Sequence, residues 1–373
     1  MNDYRERLAE TFITAAQIEG PTRAEQPVAD WISGELKPLG WEVWQDTSQN
    51  VTHSEAGNVY AYRHASDDAP TLLFCAHMDT VAPPGDRVTV VRDGDVFRSD
   101  GTTILGADNR AGVAALVETA RRLPSELDKN IAFFFPVNEE AGVMGASCLE
   151  WDRGPLQYVF NVDEGREPGV FIFKALGYAN FSIEVLGRAS HAAMEYDKGV
   201  NAIQLAGKVI DRLPLGVNKE RGQTMNIGTI EGGTGMNVVP DKVMLKGEAR
   251  AFKEVDLDAL LDGIEAICEN VTSESAGTVR YLPDPESRIP AFEGSAKSAI
   301  ALLCEKICGR LGIEYQADVS YSSSDANWLS NRSNALTIIM GRGGRNPHAK
   351  NESIELAELE QTVQVLKALI QEA

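Results

Sequence analysis

The stretch at residues 71–81, TLLFCAHMDTV, constrains the fold more than any other part of the chain. Its first half is a short apolar run, which is typical of a parallel strand that helices cover on both faces. The run turns polar at His77 and Asp79. In open α/β sheets the ligand crevice lies beyond the carboxyl ends of such strands, so both side chains are candidate site residues.

The side chains of His77 and Asp79 leave an extended backbone on the same side, because they are two residues apart. His77 could therefore bind a metal ion while Asp79 fixes the orientation of its ring. The alternative is an ordinary strand end whose histidine is only hydrogen-bonded.

Two later apolar runs, at residues 131–137 and 158–162, also end in acidic residues. The first leads into Glu139 and Glu140, and the second leads into Asp163. Neighbouring side chains at a strand end point in different directions, so one glutamate could bind metal while the other stays free as a base. A solvated acidic strand end is the alternative for each run, but three successive strands with such ends favour a site.

Two more candidates lie in loops. Asp108, in GADNRAG, precedes a helical pattern of apolar residues, so it is either a helix cap or a ligand. His348 lies in GRGGRNPHAKNE, between an apolar strand and the terminal helix. With His77, Glu140 and Asp163 these residues form an imidazole and carboxylate set that suits zinc, cobalt or manganese, and a shared aspartate would allow two ions.

Length and composition restrict the class of protein. A chain of 373 residues predicts two domains, and 43% hydrophobic with 24% charged residues is typical of soluble proteins. No apolar stretch is long enough for a membrane span and the charged start lacks a secretory core, so we expect a cytoplasmic location without membrane contact. The net charge of −20 argues against nucleic acid, which needs clustered Lys and Arg.

The sequence pattern changes in the middle of the chain. Residues 175–283 contain strands that are apolar on one side only, in the order β-α-β-β-α-β, which indicates a ferredoxin-like α+β domain. We therefore predict an α/β catalytic domain at residues 1–174 and 284–373, with a mostly parallel sheet and helices on both faces. The ferredoxin-like domain would be inserted into it.

Six motifs in order, HMDTV, GADNRAG, NEE, VDEG, SHAA and a late histidine, resemble the M20 metallopeptidase family, most closely its peptidase T-like branch. The resemblance covers nearly the whole chain. It implies that two divalent ions, zinc or else cobalt or manganese, bind the protein. His77 and Asp163 would hold one ion, Glu140 and His348 the other, and Asp108 would bridge them.

The resemblance also implies roles for residues that do not bind metal. Asp79 would orient the first ligand histidine, Glu139 would be the general base, and His191 in SHAA would stabilise the oxyanion. Asn237 and Arg250 would hold a substrate carboxylate or carbonyl, although an exposed strand charge is the alternative for Arg250. The inserted domain would be a lid and a surface for a homodimer.

The function implied is hydrolysis of short peptides from the amino end. Carboxypeptidase, dipeptidase and N-acyl-amino-acid deacylase activities stay open, because those members of the family keep the same metal set. The substrate would accordingly be a short peptide or an N-acyl amino acid. A binding protein that had lost catalysis should lack a ligand or the base, and here every position is filled.

Overall fold

The structure is a computed structural model that describes residues 2–373, with side chains from residue 4 onward. The chain divides into two compact units, one of Met1–Ala175 with Phe292–Ala373 and the other of Leu176–Ala291. The second unit continues beyond the predicted end of the inserted domain. The reason is a bridge between Tyr178 and Ile289, whose backbones exchange hydrogen bonds of 2.9 Å.

The strands follow one another along the chain with these bounds: β1 Glu42–Gln45, β2 Val59–Arg63, β3 Thr71–Cys75, β4 Val90–Asp93, β5 Val96–Ser99, β6 Asn130–Phe135, β7 Leu156–Glu164, β8 Val170–Ala175, β9 Gly177–Leu186, β10 Gly216–Asn218, β11 Gln223–Gly232, β12 Lys242–Ala251, β13 Thr278–Pro283, β14 Phe292–Glu293, β15 Gln316–Ser320, β16 Leu336–Gly341 and β17 Ser353–Glu355.

The α-helices have these bounds: α1 Asn2–Gln17, α2 Gln26–Leu36, α3 Gln49–Thr52, α4 Ala107–Arg121, α5 Met144–Ser147, α6 Ala202–Arg212, α7 Glu254–Ser273, α8 Ala299–Leu311, α9 Asp325–Ser333 and α10 Leu356–Glu372. Short 3₁₀ helices lie at Lys37–Leu39, Tyr196–Lys198 and Pro285–Ser287.

The first unit is built on a sheet with the strand order β1-β2-β6-β3-β7-β16-β8-β14, and β15 pairs with β8. The central strands β6, β3, β7 and β16 run parallel to one another, whereas β1, β2, β8 and β14 join by antiparallel pairing. Every residue of β3 and β6 is buried. The predicted parallel sheet is confirmed in this central part, which carries the site. A smaller antiparallel sheet pairs β5 with β4 and β17.

Helices cover both faces of the large sheet. In β16, Ile338 belongs to the core that α1, α4, α8 and α10 also line, whereas the next residue, Ile339, packs with Ala326 of α9. Successive side chains of a strand point to opposite faces, so α9 lies on the other face from the larger helix layer. The predicted α/β arrangement is confirmed.

The second unit is an antiparallel sheet in the order β10-β11-β12-β9-β13. In β9 buried and half-buried residues alternate, and the buried ones, such as Ile183, form a core with Val209 of α6 and Ile264 of α7. The order β9-α6-β11-β12-α7-β13 is the predicted ferredoxin-like order, with β10 as a short added strand. Within residues 2–373, no helix has both the length and the apolar character needed to cross a membrane.

Candidate metal centre

The candidate ligands of the first unit meet at the carboxyl ends of its central strands. His77 and Asp79 follow β3, Glu139 and Glu140 follow β6, and Asp163 is the penultimate residue of β7. Because β3 lies between β6 and β7 and is parallel to both, the three strand ends are neighbours at one edge of the sheet. These candidate ligands therefore lie in the crevice beyond the carboxyl ends of the strands, where open α/β sheets bind their ligands.

Asp108 turns its two carboxylate oxygens toward different histidines. Its Oδ1 lies 3.3 Å from His77 Nε2, and its Oδ2 lies 3.4 Å from His348 Nε2. The capping alternative does not describe this residue, because α4 is kinked at Asp108 and Asn109, and the side-chain oxygen of Asn109 is the one that accepts the backbone amide of Gly112 (3.2 Å) after the kink. Asp108 consequently belongs to two groups of side chains.

We call His77, Asp108 and Asp163 the inner group. Their ligand atoms lie within 4.8 Å of one another, and His77 Nε2 is 3.4 Å from Asp163 Oδ1. His77 Nδ1 lies 3.3 Å from Asp79 Oδ1 on the other side of the ring. Burial opposes protonation of His77, but the carboxylates of Asp163, Asp108 and Asp79 outweigh it and raise its pKa well above the usual value.

We call Asp108, Glu140 and His348 the outer group, whose ligand atoms also lie within 4.8 Å. His348 Nε2 lies 3.0 Å from Glu140 Oε1. Hydrogen bonds to Asp108 and Glu140 raise the pKa of His348 to about 10. The imidazole is half exposed, because it lies on the loop that joins β16 to β17.

Asp79 connects the two strand ends that carry the groups. The backbone amides of Glu139 and Glu140 donate to its two oxygens at 3.0 and 3.1 Å, and the Thr22 hydroxyl donates to Oδ2 at 2.7 Å. Burial opposes ionisation of Asp79, but His77 and these donors lower its pKa below the usual value. One ionised carboxylate therefore fixes both the His77 ring and the backbone of the glutamate pair.

Glu139 lies beside the ligands but is also a member of a third group, with His77 and Glu140. Burial raises the pKa of its carboxyl well above the usual value, and the nearby Asp163 and Asp325 add to this effect. Glu140 belongs to the outer group as well, so only Glu140 also lies next to His348. The two adjacent glutamates thus have different surroundings, as the strand-end geometry predicts.

The residues present fit two divalent cations. Asp108, Glu140 and Asp163 bring three carboxylates close together, and each is less than a fifth exposed. Crowded carboxylates are costly in a buried site unless cations compensate them. Two imidazoles complete a nitrogen and oxygen ligand set of the kind that zinc, cobalt and manganese accept.

Sequence reasoning missed several side chains that hold the ligands in place. Arg342 Nη2 lies 2.6 Å from Asp108 Oδ1, and Glu352 accepts hydrogen bonds from the backbone amides of Gly106 and Asp108 at 2.7 and 3.0 Å. Asn109 Nδ2 donates to Asp163 Oδ1 at 2.9 Å. Arg342 directly follows β16, so the strand-end rule that found the other residues would have found it too.

The remaining candidates belong to the second unit. His191 is exposed, and its Nδ1 accepts hydrogen bonds of 3.2 Å from the backbone amides of Ala193 and Met194. A neutral ring in this position carries its proton on Nε2. Asn237 is adjacent, because its carbonyl accepts from the amide of Ala192 at 3.0 Å. The roles predicted for both residues stay predictions.

Arg250 is already engaged within the second unit. Its guanidinium makes two hydrogen bonds of 3.0 Å to the carboxylate of Glu248 and lies 4.8 Å from the ring centre of Tyr178. A substrate carboxylate would have to share the guanidinium with Glu248. The predicted role of Arg250 in substrate binding also stays a prediction.

Two family models and several known proteins match this chain. A family model of the M20 peptidase dimerisation domain matches residues 174–276, and the model of peptidase family M28 matches residues 58–209. A Bacillus subtilis relative, described as uncharacterized protein YqjE, is 32% identical over 369 residues, which cover 98% of each chain.

Two solved structures are similar over the whole chain. Aminopeptidase PepT from Bacillus cereus is 30% identical with a TM-score of 0.91, over 99% of this chain and 98% of its own. A tripeptidase from Staphylococcus aureus is 27% identical with a TM-score of 0.89, over 98% of each chain.

Proposed function

The chain belongs to the M20 family of metallopeptidases, in its peptidase T-like branch, and we propose that it is a di-zinc aminopeptidase of short peptides. The observation that carries the two-ion proposal is the position of Asp108. One of its oxygens faces the inner group and the other faces the outer group. A carboxylate in that position is suited to bridge two ions.

In this proposal His77 and Asp163 hold the inner ion, Glu140 and His348 hold the outer ion, and Asp108 is shared. Zinc is the metal that we propose, since it accepts imidazole nitrogen and carboxylate oxygen together; cobalt and manganese accept the same set. When bound, the ions would lower the pKa of a water molecule and polarise the scissile carbonyl.

Glu139 is the proposed general base. It would take a proton from the attacking water and return it to the amine of the leaving peptide. The contact of its backbone amide with Asp79 supports this role, because that contact holds the residue beside the inner group without using its carboxylate. His191 is proposed to donate from Nε2 to the developing oxyanion.

We propose tripeptides and similar short peptides as substrates, cleaved at the amino end. The support is that the two similar solved structures are an aminopeptidase and a tripeptidase. Asn237 and Arg250 are the proposed contacts to a substrate carbonyl or carboxylate. The second unit is the proposed lid and homodimer surface, because the dimerisation model covers most of it.

The test is a set of assays on purified protein, first stripped with a chelator and then reloaded with Zn²⁺, Co²⁺ or Mn²⁺. We expect loss of activity on chelation, recovery with two ions per chain, and hydrolysis of tripeptides that requires a free amino group. Full activity in the stripped protein would contradict the metal proposal. Preference for N-acylated substrates or for a free carboxyl end would contradict the aminopeptidase proposal and leave the metal centre intact.

A further inference from the structure

Arg342 is a fully charged side chain buried at the edge of the proposed metal centre. It is 2% exposed, and its Nη2 contacts Asp108 Oδ1 at 2.6 Å. The backbone on both sides is anchored, since its amide donates to the carbonyl of Glu164 at 2.8 Å and its carbonyl accepts from the Thr362 hydroxyl at 3.3 Å. The backbone of Arg342 is therefore held by the end of β7 and by α10.

The charges around Arg342 explain how a guanidinium is tolerated there. A buried cation is costly unless acidic groups pair with it. Asp108 is in direct contact, and Asp163 and Glu352 contribute further attraction. Among residues 2–373, no other arginine or lysine forms an ion pair with any of the five proposed ligands.

The contact lies on the oxygen of Asp108 that also faces His77. A metal ion in the inner group and the guanidinium of Arg342 would therefore both be attracted to the same carboxylate. Each compensates its negative charge, and the two positive charges repel each other across a short distance. The arginine should consequently matter most when the metal is absent.

We propose that Arg342 is a built-in counter-cation of the inner group, which keeps Asp108 in position without metal and so limits how far stability depends on metal. The inference rests on the proposed two-ion centre. It assigns Arg342 a positioning role, in which it acts through Asp108 and not on the substrate. Removing its charge should destabilise the metal-free protein more than the metal-loaded protein, and metal affinity should rise.

The experiment compares the wild type with R342M, which keeps a long side chain but removes the charge. The melting temperature is measured with excess chelator and with saturating Zn²⁺, and zinc affinity is measured by competition with a chelating dye. We expect the chelated R342M to melt about 5 °C or more below the wild type, because a broken buried ion pair is costly. The zinc-loaded variant should lose less than half as much, and zinc affinity should increase about tenfold.

Two further variants control the comparison. R342K keeps the positive charge and should restore most of the metal-free melting temperature. R121M removes another arginine that pairs with acidic residues, Glu118 and Glu35, away from the ligands, and should lower both melting temperatures equally. If chelated R342M does not fold, R342Q replaces it, since glutamine keeps a hydrogen-bond donor but not the charge.

Equal losses in the chelated and zinc-loaded states, or weaker zinc binding in the charge-removing variant, would overturn the inference. If zinc binds the wild type and raises its melting temperature, but R342M behaves like R121M, only the role of Arg342 is contradicted. The proposed metal centre is then still supported. A wild type that neither binds two ions nor gains melting temperature would instead overturn the proposed centre itself.

Discussion

The inner and outer groups share Asp108 but are held by the fold in different ways. The His77 side chain is 1% exposed and is contacted at both ring nitrogens, whereas that of His348 is 48% exposed on a loop. Two of the three inner ligands, His77 and Asp163, lie at strand ends of the central sheet, so folding of the core places them. The outer group is completed by His348, which lies on the loop between β16 and β17.

This difference implies that the two groups have different consequences for stability. Removing a partner from a buried cluster leaves uncompensated charges behind, whereas water can replace a partner in an exposed pair. The inner group should therefore couple metal binding to global folding, and the outer group should affect metal occupancy with little change in folding.

The largest effect is expected from replacing each of the two ligand histidines, His77 and His348, by alanine. H77A and H348A should each lose activity, because each lacks a proposed ligand. In the presence of chelator, H77A should lose about 3–5 kcal/mol of unfolding free energy, because Asp79, Asp108 and Asp163 lose their buried partner. H348A should lose less than H77A, because water can reach the place of its half-exposed imidazole. Urea unfolding followed by circular dichroism measures both, and equal losses would remove the distinction between the groups.

The second effect separates Glu139 from Glu140. E139Q should keep both metals but reduce turnover by about 10²–10⁴, because it lacks the proton carrier. E140Q should lose occupancy of the outer ion, since an amide is a poorer ligand for a dication than a carboxylate. Both backbone amides donate to Asp79, and glutamine leaves that contact in place. Metal content and steady-state kinetics of both variants distinguish the two roles. Loss of metal in E139Q alone would reverse the assignment of base and ligand.

A smaller effect is expected from a residue outside both groups. H191A should leave metal content and melting temperature unchanged and reduce turnover by about 10²–10³, as for other oxyanion donors. M194A is a matched control, because Met194 is 75% exposed on the same segment. If metal-replete H191A turns over substrate as fast as the control does, the proposed role of His191 as an oxyanion donor is wrong.

The smallest effect concerns the support of the inner histidine. D79N should weaken metal binding about 10–100-fold, because a neutral amide fixes the His77 ring less firmly and makes it a less basic metal ligand than a carboxylate does. T22V removes one hydrogen bond to Asp79 but keeps its charge, so it should affect affinity less. Zinc titrations of both variants test this order. A larger loss in T22V than in D79N would show that packing, and not the carboxylate charge, holds the ring.

Much of the site could be predicted because its signals are local. An apolar strand followed at once by His77, by Glu139 and Glu140, or by Asp163 is visible over a few residues, and parallel strand ends must meet at one edge. The ferredoxin-like order of the second unit was also readable, since one-sided strands alternate in polarity. Strands β14 and β15 were missed because β14 has only two residues and β15 lacks an apolar run, whereas β8 was missed although its residues VFIF form a buried apolar run.

The sequence by itself determined which chemical groups are available and which strand ends carry them, because periodicity and side-chain type are properties of short segments. Only the tertiary structure decided how those groups share their charges. His348 meets Glu140 across 208 positions of the chain, and Asp108 meets Arg342, which is buried at the end of β16. Which oxygen faces which cation depends on contacts between distant segments, and local patterns do not encode those contacts.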